Sequence, residues 1–185
     1  FCEGTRNSLS HLEQTLLSDL AEELELTAED SSDMASWNHS WTQVQLLKSL
    51  LAVPKYTPTL ELTLDISTAN LSPFDIRAKE ELKPDICLYP ATRRGLSRPN
   101  DILRMLEMPL AAIEILSPKQ GVYDIKEKFK AYFALGVKSC WLVTPELEVI
   151  SVYSTPSDFK NYDKRSGSLE VIDETLEIRL PLDQI

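Results

Sequence analysis

A mixed α/β (α+β) domain is predicted for this 185-residue chain by three observations. The first is a helical apolar period in the N-terminal part, to about residue 58. The second is a change to period two from Thr59 onward. The third is a strand–helix–strand unit over residues 110–144, which suits a parallel crossover in a sheet. The length supports one sizeable core, and two full domains would be cramped. The expectation is therefore a single domain, 1–185, with a helical part at about 1–58 and a sheet-bearing core at about 59–185.

Each element has its own pattern. Leu9, Leu12, Leu16, Leu20 and Leu24 recur at spacings of three and four, which predicts a helix over 9–26. Residues 27–36 are polar and acidic and read as a loop. Asn38 or Ser40 is a candidate cap for a second helix ending near Ala52, with Trp41, Val44, Leu47 and Leu51 on one apolar face. Pro54 and Pro58 close it. Leu60, Leu62, Leu64 and Ile66 alternate with Glu61, Thr63 and Asp65, the pattern of a half-buried strand. Residues 69–83 read as a polar connection, 86–89 as a short strand and 90–100 as a basic loop. An apolar run at 110–116 holds one acid, Glu114, and Ser117-Pro118 stops it. Val122, Ile125, Phe129, Tyr132 and Phe133 predict a helix over 121–135, with Gly136 ending it. Residues 138–144 read as a strand, 147–153 as its hairpin partner across Pro145-Glu146, and 169–172 with 175–180 as a closing hairpin.

Hydrophobic residues make up 43% and charged residues 26%, an ordinary globular composition. No apolar run approaches the roughly 18 residues of a membrane span, so no membrane association is expected. No basic flank precedes an apolar stretch near the start, so no secretory leader is expected. Cys2, Cys87 and Cys140 are too few and too scattered for a disulfide framework or a zinc site. Cys87 and Cys140 lie in apolar segments, as buried free thiols do, and a reducing, cytoplasmic compartment is expected. The net charge of −10 argues against a protein that coats nucleic acid non-specifically. It leaves room for a carboxylate site, where a metal ion supplies the positive charge. Acids crowd residues 13–33, whereas Arg93, Arg94, Arg98 and Arg104 crowd 93–104.

Three residues stand out chemically. Glu114, flanked by Ile113 and Ile115, faces a cost of several kcal/mol if it is buried unpaired. Either its strand is half exposed and Glu114 meets water, or it has a partner such as a lysine, a hydrogen-bond network or a metal. Asp85 follows Pro84 at the start of the preceding strand. It is either a turn aspartate or a second carboxylate beside Glu114, and two adjacent carboxylates need a proton or a cation between them. Lys128 lies at the margin of the buried helical stripe, with Asp124 and Tyr132 one turn to either side. A lysine there commonly reaches water. Asp65, on the polar side of its strand, is a further candidate acid.

Three segments taken together, KPDICLYP, LAAIEILSPKQGVYDIKEKFKAYFALGVKSCWLV and VISVY, resemble the Uma-type family of putative restriction endonucleases, of the PD-(D/E)XK superfamily. The matching features are Pro84-Asp85, Glu114-Ile115-Leu116-Ser117, Asp124 to Lys128, Gly136-Val137 and Trp141-Leu142-Val143, over about residues 84–153. The resemblance implies a restriction-endonuclease-like mixed sheet flanked by helices. It implies an Mg²⁺- or Mn²⁺-dependent endonuclease that hydrolyses phosphodiester bonds, with DNA the expected substrate. Asp85, Glu114 and the carbonyl of Ile115 would hold the metal, which polarises the phosphate and acidifies a water. Lys128 would orient that water or neutralise charge. The superfamily's usual lysine lies two residues after the glutamate, where this chain has Leu116, and Lys128 takes its place in the Uma-type pattern. The superfamily often adds an acid from an early helix, and Glu13, Glu22 and Glu23 are equivalent candidates here. A homodimer is expected, because cutting both strands of a duplex usually takes two sites. The alternative is a non-catalytic relative that binds nucleic acid or a partner as a regulatory module.

Overall fold

The central strands are buried on both faces, and their successive side chains point to opposite sides of the sheet, which sorts the molecule into layers. In a computed structural model, the described residues are 36–70, 72–73, 81–93, 95–97 and 99–185, within the unit Ala35–Ile185. The helix expected at 9–26, with Glu13, Glu22 and Glu23, lies outside them, as do Arg94 and Arg98.

The first described element is helix α1, Trp37–Leu51. Its cap is Ser36, and neither Asn38 nor Ser40. Ser36 has an extended backbone, and its hydroxyl accepts from the His39 amide at 3.2 Å. The face of α1 that packs inward is also not the expected one. His39, Leu46, Ser49 and Leu50 are buried, whereas Trp41, Val44 and Leu51 are exposed and Trp37 stacks on Trp41. The helix carries two apolar stripes, and periodicity cannot say which of them meets the sheet.

Strands β1 (Tyr56–Leu60), β2 (Leu64–Asp65), β3 (Glu81–Leu82), β4 (Ile86–Pro90) and β5 (Ala111–Ile115) follow. The single strand expected over 60–66 is thus two strands. Glu61 breaks it with a left-handed backbone, φ 48°, a conformation that costs a non-glycine residue about 1 kcal/mol. The turn delivers the Glu61 amide to the carbonyl of Asp85 at 3.1 Å. Helix α2, Val122–Ala134, then joins β5 to β6, Ser139–Thr144. Gly136, at φ 98°, turns the chain out of α2 as expected. A short 3-10 turn leads to β7 (Val149–Tyr153), followed by β8 (Phe159–Asp163), β9 (Glu170–Asp173) and β10 (Ile178–Pro181).

Among the described residues the main sheet has the order β1-β4-β5-β6-β7-β8. The β5–β6 pair is parallel and the other four are antiparallel. The β2–β3 and β9–β10 pairs stand apart. Strand β8 escaped the sequence reading because it is a polar edge strand whose side chains are mostly exposed. On one face of the sheet, Ile86, Leu88, Ala111, Ile113, Ile115, Trp141 and Val143 pack with Leu46 and Leu50 of α1 and with the β9–β10 hairpin. On the other, Cys87, Tyr89, Ala112, Cys140 and Leu142 pack with Ile125, Phe129 and Tyr132 of α2. A buried aspartate closes the first layer: Asp173 accepts from Trp141 Nε1 at 2.9 Å and from the Leu176 amide at 3.0 Å.

Candidate functional site

Glu114 shares a face of β5 with Ala112, so its side chain enters the layer beneath α2. It is almost wholly buried, at 2% exposure. The expectation that it either meets water or has a partner resolves to the second. Tyr132, on α2, donates its hydroxyl to Oε1 at 2.7 Å. Lys128, one turn earlier, donates its ammonium to Oε2 at 3.2 Å. Spacing i, i+4 on a helix makes this possible, because both side chains leave α2 on the same side. Burial pushes the Glu114 carboxyl above the ordinary carboxylate range, Lys128 pulls it back, and nearby Asp85 pushes it up again. The Tyr132 hydroxyl is raised well above its ordinary value, first by burial and then by the Glu114 charge.

Asp85 reaches the same region through the sheet register. Strand β4 pairs with β5 as Ile86↔Ile113, Cys87↔Ala112 and Leu88↔Ala111. One further step would set Asp85 opposite Glu114, and there the main-chain ladder ends. The Asp85 carboxylate replaces the missing partner, accepting the Ile115 amide on Oδ2 at 2.6 Å. In a strand the N–H and C=O of one residue point the same way, so the Ile115 carbonyl also faces the β4 side. The second oxygen, Oδ1, lies 3.2 Å from His39 Nε2. The Asp85 carbonyl accepts from Gln43 Nε2 at 3.1 Å as well as from Glu61. The hydrogen bond to Asp85 raises the His39 pKa above 6.5, and burial partly opposes it.

Asp85, Glu114 and Lys128 therefore converge where β4 begins and β5 ends. Solvent enters past Asp85 and Lys128, whose side chains are 20% and 27% exposed. Among the described residues no group of three or more His, Cys, Asp and Glu side chains gathers as a metal site. The available donor set is two carboxylates and one main-chain carbonyl, all hard oxygens. That set fits Mg²⁺ or Mn²⁺, which keep several waters and take further oxygens from a phosphate, better than Zn²⁺. The mutual repulsion of Asp85 and Glu114 is the electrostatic condition that a cation relieves. Nearby thiols supply no nucleophile: Cys87 and Cys140 are buried and free, and burial pushes Cys87 up to about 12.

Asp65 takes a different part. Its Oδ1 accepts from the Ser67 amide and hydroxyl at 2.9 and 2.7 Å, which lowers its pKa and ties it to a turn after β2. His39 and Gln43 were absent from the sequence reading, and Tyr132 entered it as an apolar helix position and a neighbour of Lys128, without a role at the site. The i, i+4 spacing of Lys128 and Tyr132 was a usable signal, since both flank the one acid of an apolar strand. Nothing local marks His39 or Gln43, because their partner lies in another element.

Known proteins match the chain in family and in fold. The profile of the Uma2 family, described as "Putative restriction endonuclease", matches residues 20–182. The fold is shared with the crystal structure of "a putative nuclease belonging to DUF820" from Anabaena variabilis ATCC 29413. The TM-score is 0.61 over 82% of this chain and 81% of that one, at 19% identity. That likeness speaks for the nuclease-like fold alone. No curated protein matches the chain.

Proposed function

Because the chain belongs to the Uma2 family of putative restriction endonucleases, we propose that it is a metal-dependent endonuclease acting on nucleic acid, with DNA the expected substrate. The observation that carries the reading is Glu114: a buried carboxylate in an apolar strand, held by Lys128 and Tyr132 and set beside Asp85. Asp85, Glu114 and the Ile115 carbonyl would hold Mg²⁺ or Mn²⁺. When bound there, the cation supplies Lewis acidity toward a phosphate oxygen and acidifies a water. Tyr132 fixes the rotamer of Glu114 through Oε1. Lys128 brings a positive charge to the open side of the cleft, where it can meet a phosphate or orient a water. Its contact with Glu114 is long enough to exchange for such a group. Asp85 tethers the end of β5 through Ile115, so the two carboxylates keep a fixed relation.

No described helix is long and apolar enough to cross a membrane. A reducing, cytoplasmic setting suits the buried free thiols, and a homodimer suits the cutting of two strands. One observation favours the alternative, a non-catalytic relative: all four carboxylate oxygens already have donors from the protein itself. Nicking of supercoiled DNA separates the two. Wild type with Mn²⁺ should convert it to open circles, and Glu114→Ala should not. Absence of cleavage of any DNA or RNA, with no Mn²⁺ bound, would leave the binding-module reading.

A further inference from the structure

Asp85 is held more firmly than a residue at a strand's mouth needs to be. Four donors from three directions reach it. The Ile115 amide meets Oδ2 and His39 Nε2 meets Oδ1. Gln43 Nε2 and the Glu61 amide meet its carbonyl. Two of these donors, His39 and Gln43, stand one turn apart on α1. That helix packs through Leu46 and Leu50 on the face of the sheet opposite α2. The grip therefore comes from across the sheet from Glu114 and Lys128.

A packing role does not account for His39. The residue is buried, and its Nδ1 finds no hydrogen-bond partner among the described residues. A buried polar atom left without a partner is a cost that leucine at the same position would avoid. What histidine provides and leucine cannot is the Nε2 contact to Asp85. Gln43 has the same logic. It spends a flexible amide side chain as a second donor to a carbonyl that the Glu61 amide already reaches.

We propose that His39 and Gln43 are positioning residues that clamp Asp85, side chain and main chain together, as an outer shell for a hard divalent cation. The inference rests on the proposed function for the identity of the ligand, but the clamp itself is a property of the protein alone. The Asp85 carboxylate sits where the ladder has ended, so its own torsions are otherwise unrestrained. Fixing both oxygens from α1 and β5 removes that freedom before a cation arrives, and partners of this kind set the orientation of metal ligands.

The test has a metal-free arm and a metal arm, both on the full chain. In the first, the Ile115 amide is followed by NMR and hydrogen exchange. In His39→Leu it should shift upfield and exchange at least tenfold faster than in wild type, relative to the Ile113 amide. His39→Gln, which keeps an Nε2 donor, should restore it. Gln43→Met, at a half-buried position, should move it in the same direction, and reads the clamp if His39→Leu does not fold. An Ile115 amide indifferent to both His39→Leu and Gln43→Met, whatever happens to Tm, would overturn the proposal. In the second arm, Mn²⁺ is titrated calorimetrically. His39→Leu should bind about 10- to 100-fold more weakly, and His39→Gln within about threefold of wild type. Equal Mn²⁺ affinity for His39→Leu and wild type would also overturn it. If wild type binds no Mn²⁺, the nuclease reading is lost, and the Ile115 amide still decides the clamp.

Discussion

Glu114→Gln should stabilise the metal-free protein at pH 8. The carboxylate is 3% exposed on its side chain, and ionising it there costs several kcal/mol after relaxation. Two hydrogen bonds offset part of that cost, from Tyr132 at 2.7 Å and from Lys128 at 3.2 Å. Such bonds to a charged group contribute about 1.5–3 kcal/mol each, and the Lys128 one less, because that side chain is partly solvated. Glutamine keeps a neutral bond from Tyr132, worth about 1 kcal/mol, and releases Lys128 to water. The balance favours glutamine by about 1 kcal/mol, or a rise in Tm of about 2–4 °C for a domain of this size.

The gain must depend on pH. The folded-state pKa of Glu114 is raised above the usual 4.5. Its folded form therefore holds its proton more tightly than the unfolded form. Stability is withdrawn as pH rises from about 4.5 through the folded pKa, and below 4.5 the difference vanishes. Thermal and urea unfolding of both proteins at pH 4.5, 6 and 8 measures this. Mn²⁺ should then invert the order at pH 8: at 100 times Kd it stabilises wild type by about 2.7 kcal/mol and the variant hardly at all. A variant less stable than wild type at pH 8 without metal, or a difference independent of pH, would refute the burial argument. Failure of Mn²⁺ to invert the order would remove Glu114 as a ligand.

Tyr132→Phe should cost about 1–3 kcal/mol at pH 8, by leaving Oε1 of a buried carboxylate unpaired, and much less at pH 4.5; urea titrations at the two values decide it. Lys128→Met should lower metal-dependent nicking by about 10²–10³-fold and leave Mn²⁺ affinity within about threefold; a large loss of affinity would assign the lysine to ligand positioning. Asp173→Asn should destabilise by about 1–3 kcal/mol, because an amide cannot accept from both Trp141 Nε1 and the Leu176 amide; unchanged Mn²⁺ binding in that variant separates fold from site. Sedimentation at micromolar concentration should show a dimer, and a pure monomer would count against paired sites.

Local patterns in the chain were enough for much of this molecule. The apolar run around Glu114, the helical stripe from Val122 to Phe133, Gly136 beyond it and the Trp141 strand each announce themselves within a dozen residues. So did the strand–helix–strand unit, because β5, α2 and β6 follow one another without interruption. Lys128 was legible as a marginal helix position, and the spacing of Pro84-Asp85, Glu114 and Lys128 carried the family resemblance.

The tertiary structure decided whatever depends on a distant partner. Two apolar stripes on α1 compete for the core, and only packing against β4, β5 and the β9–β10 hairpin selects Leu46 and Leu50 over Trp41 and Val44. The left-handed turn at Glu61 hides inside an alternating pattern, because alternation reports burial and says nothing of φ. Whether Glu114 met water or a partner was undecidable locally, since exposure depends on α2 lying over β5. The grip of His39 and Gln43 on Asp85 is the case that matters most at the site: Gln43 and Asp85 stand 42 residues apart. Sequence periodicity carries information over a few turns, whereas a contact of that range exists only once the sheet register and the seating of α1 have brought the two ends together.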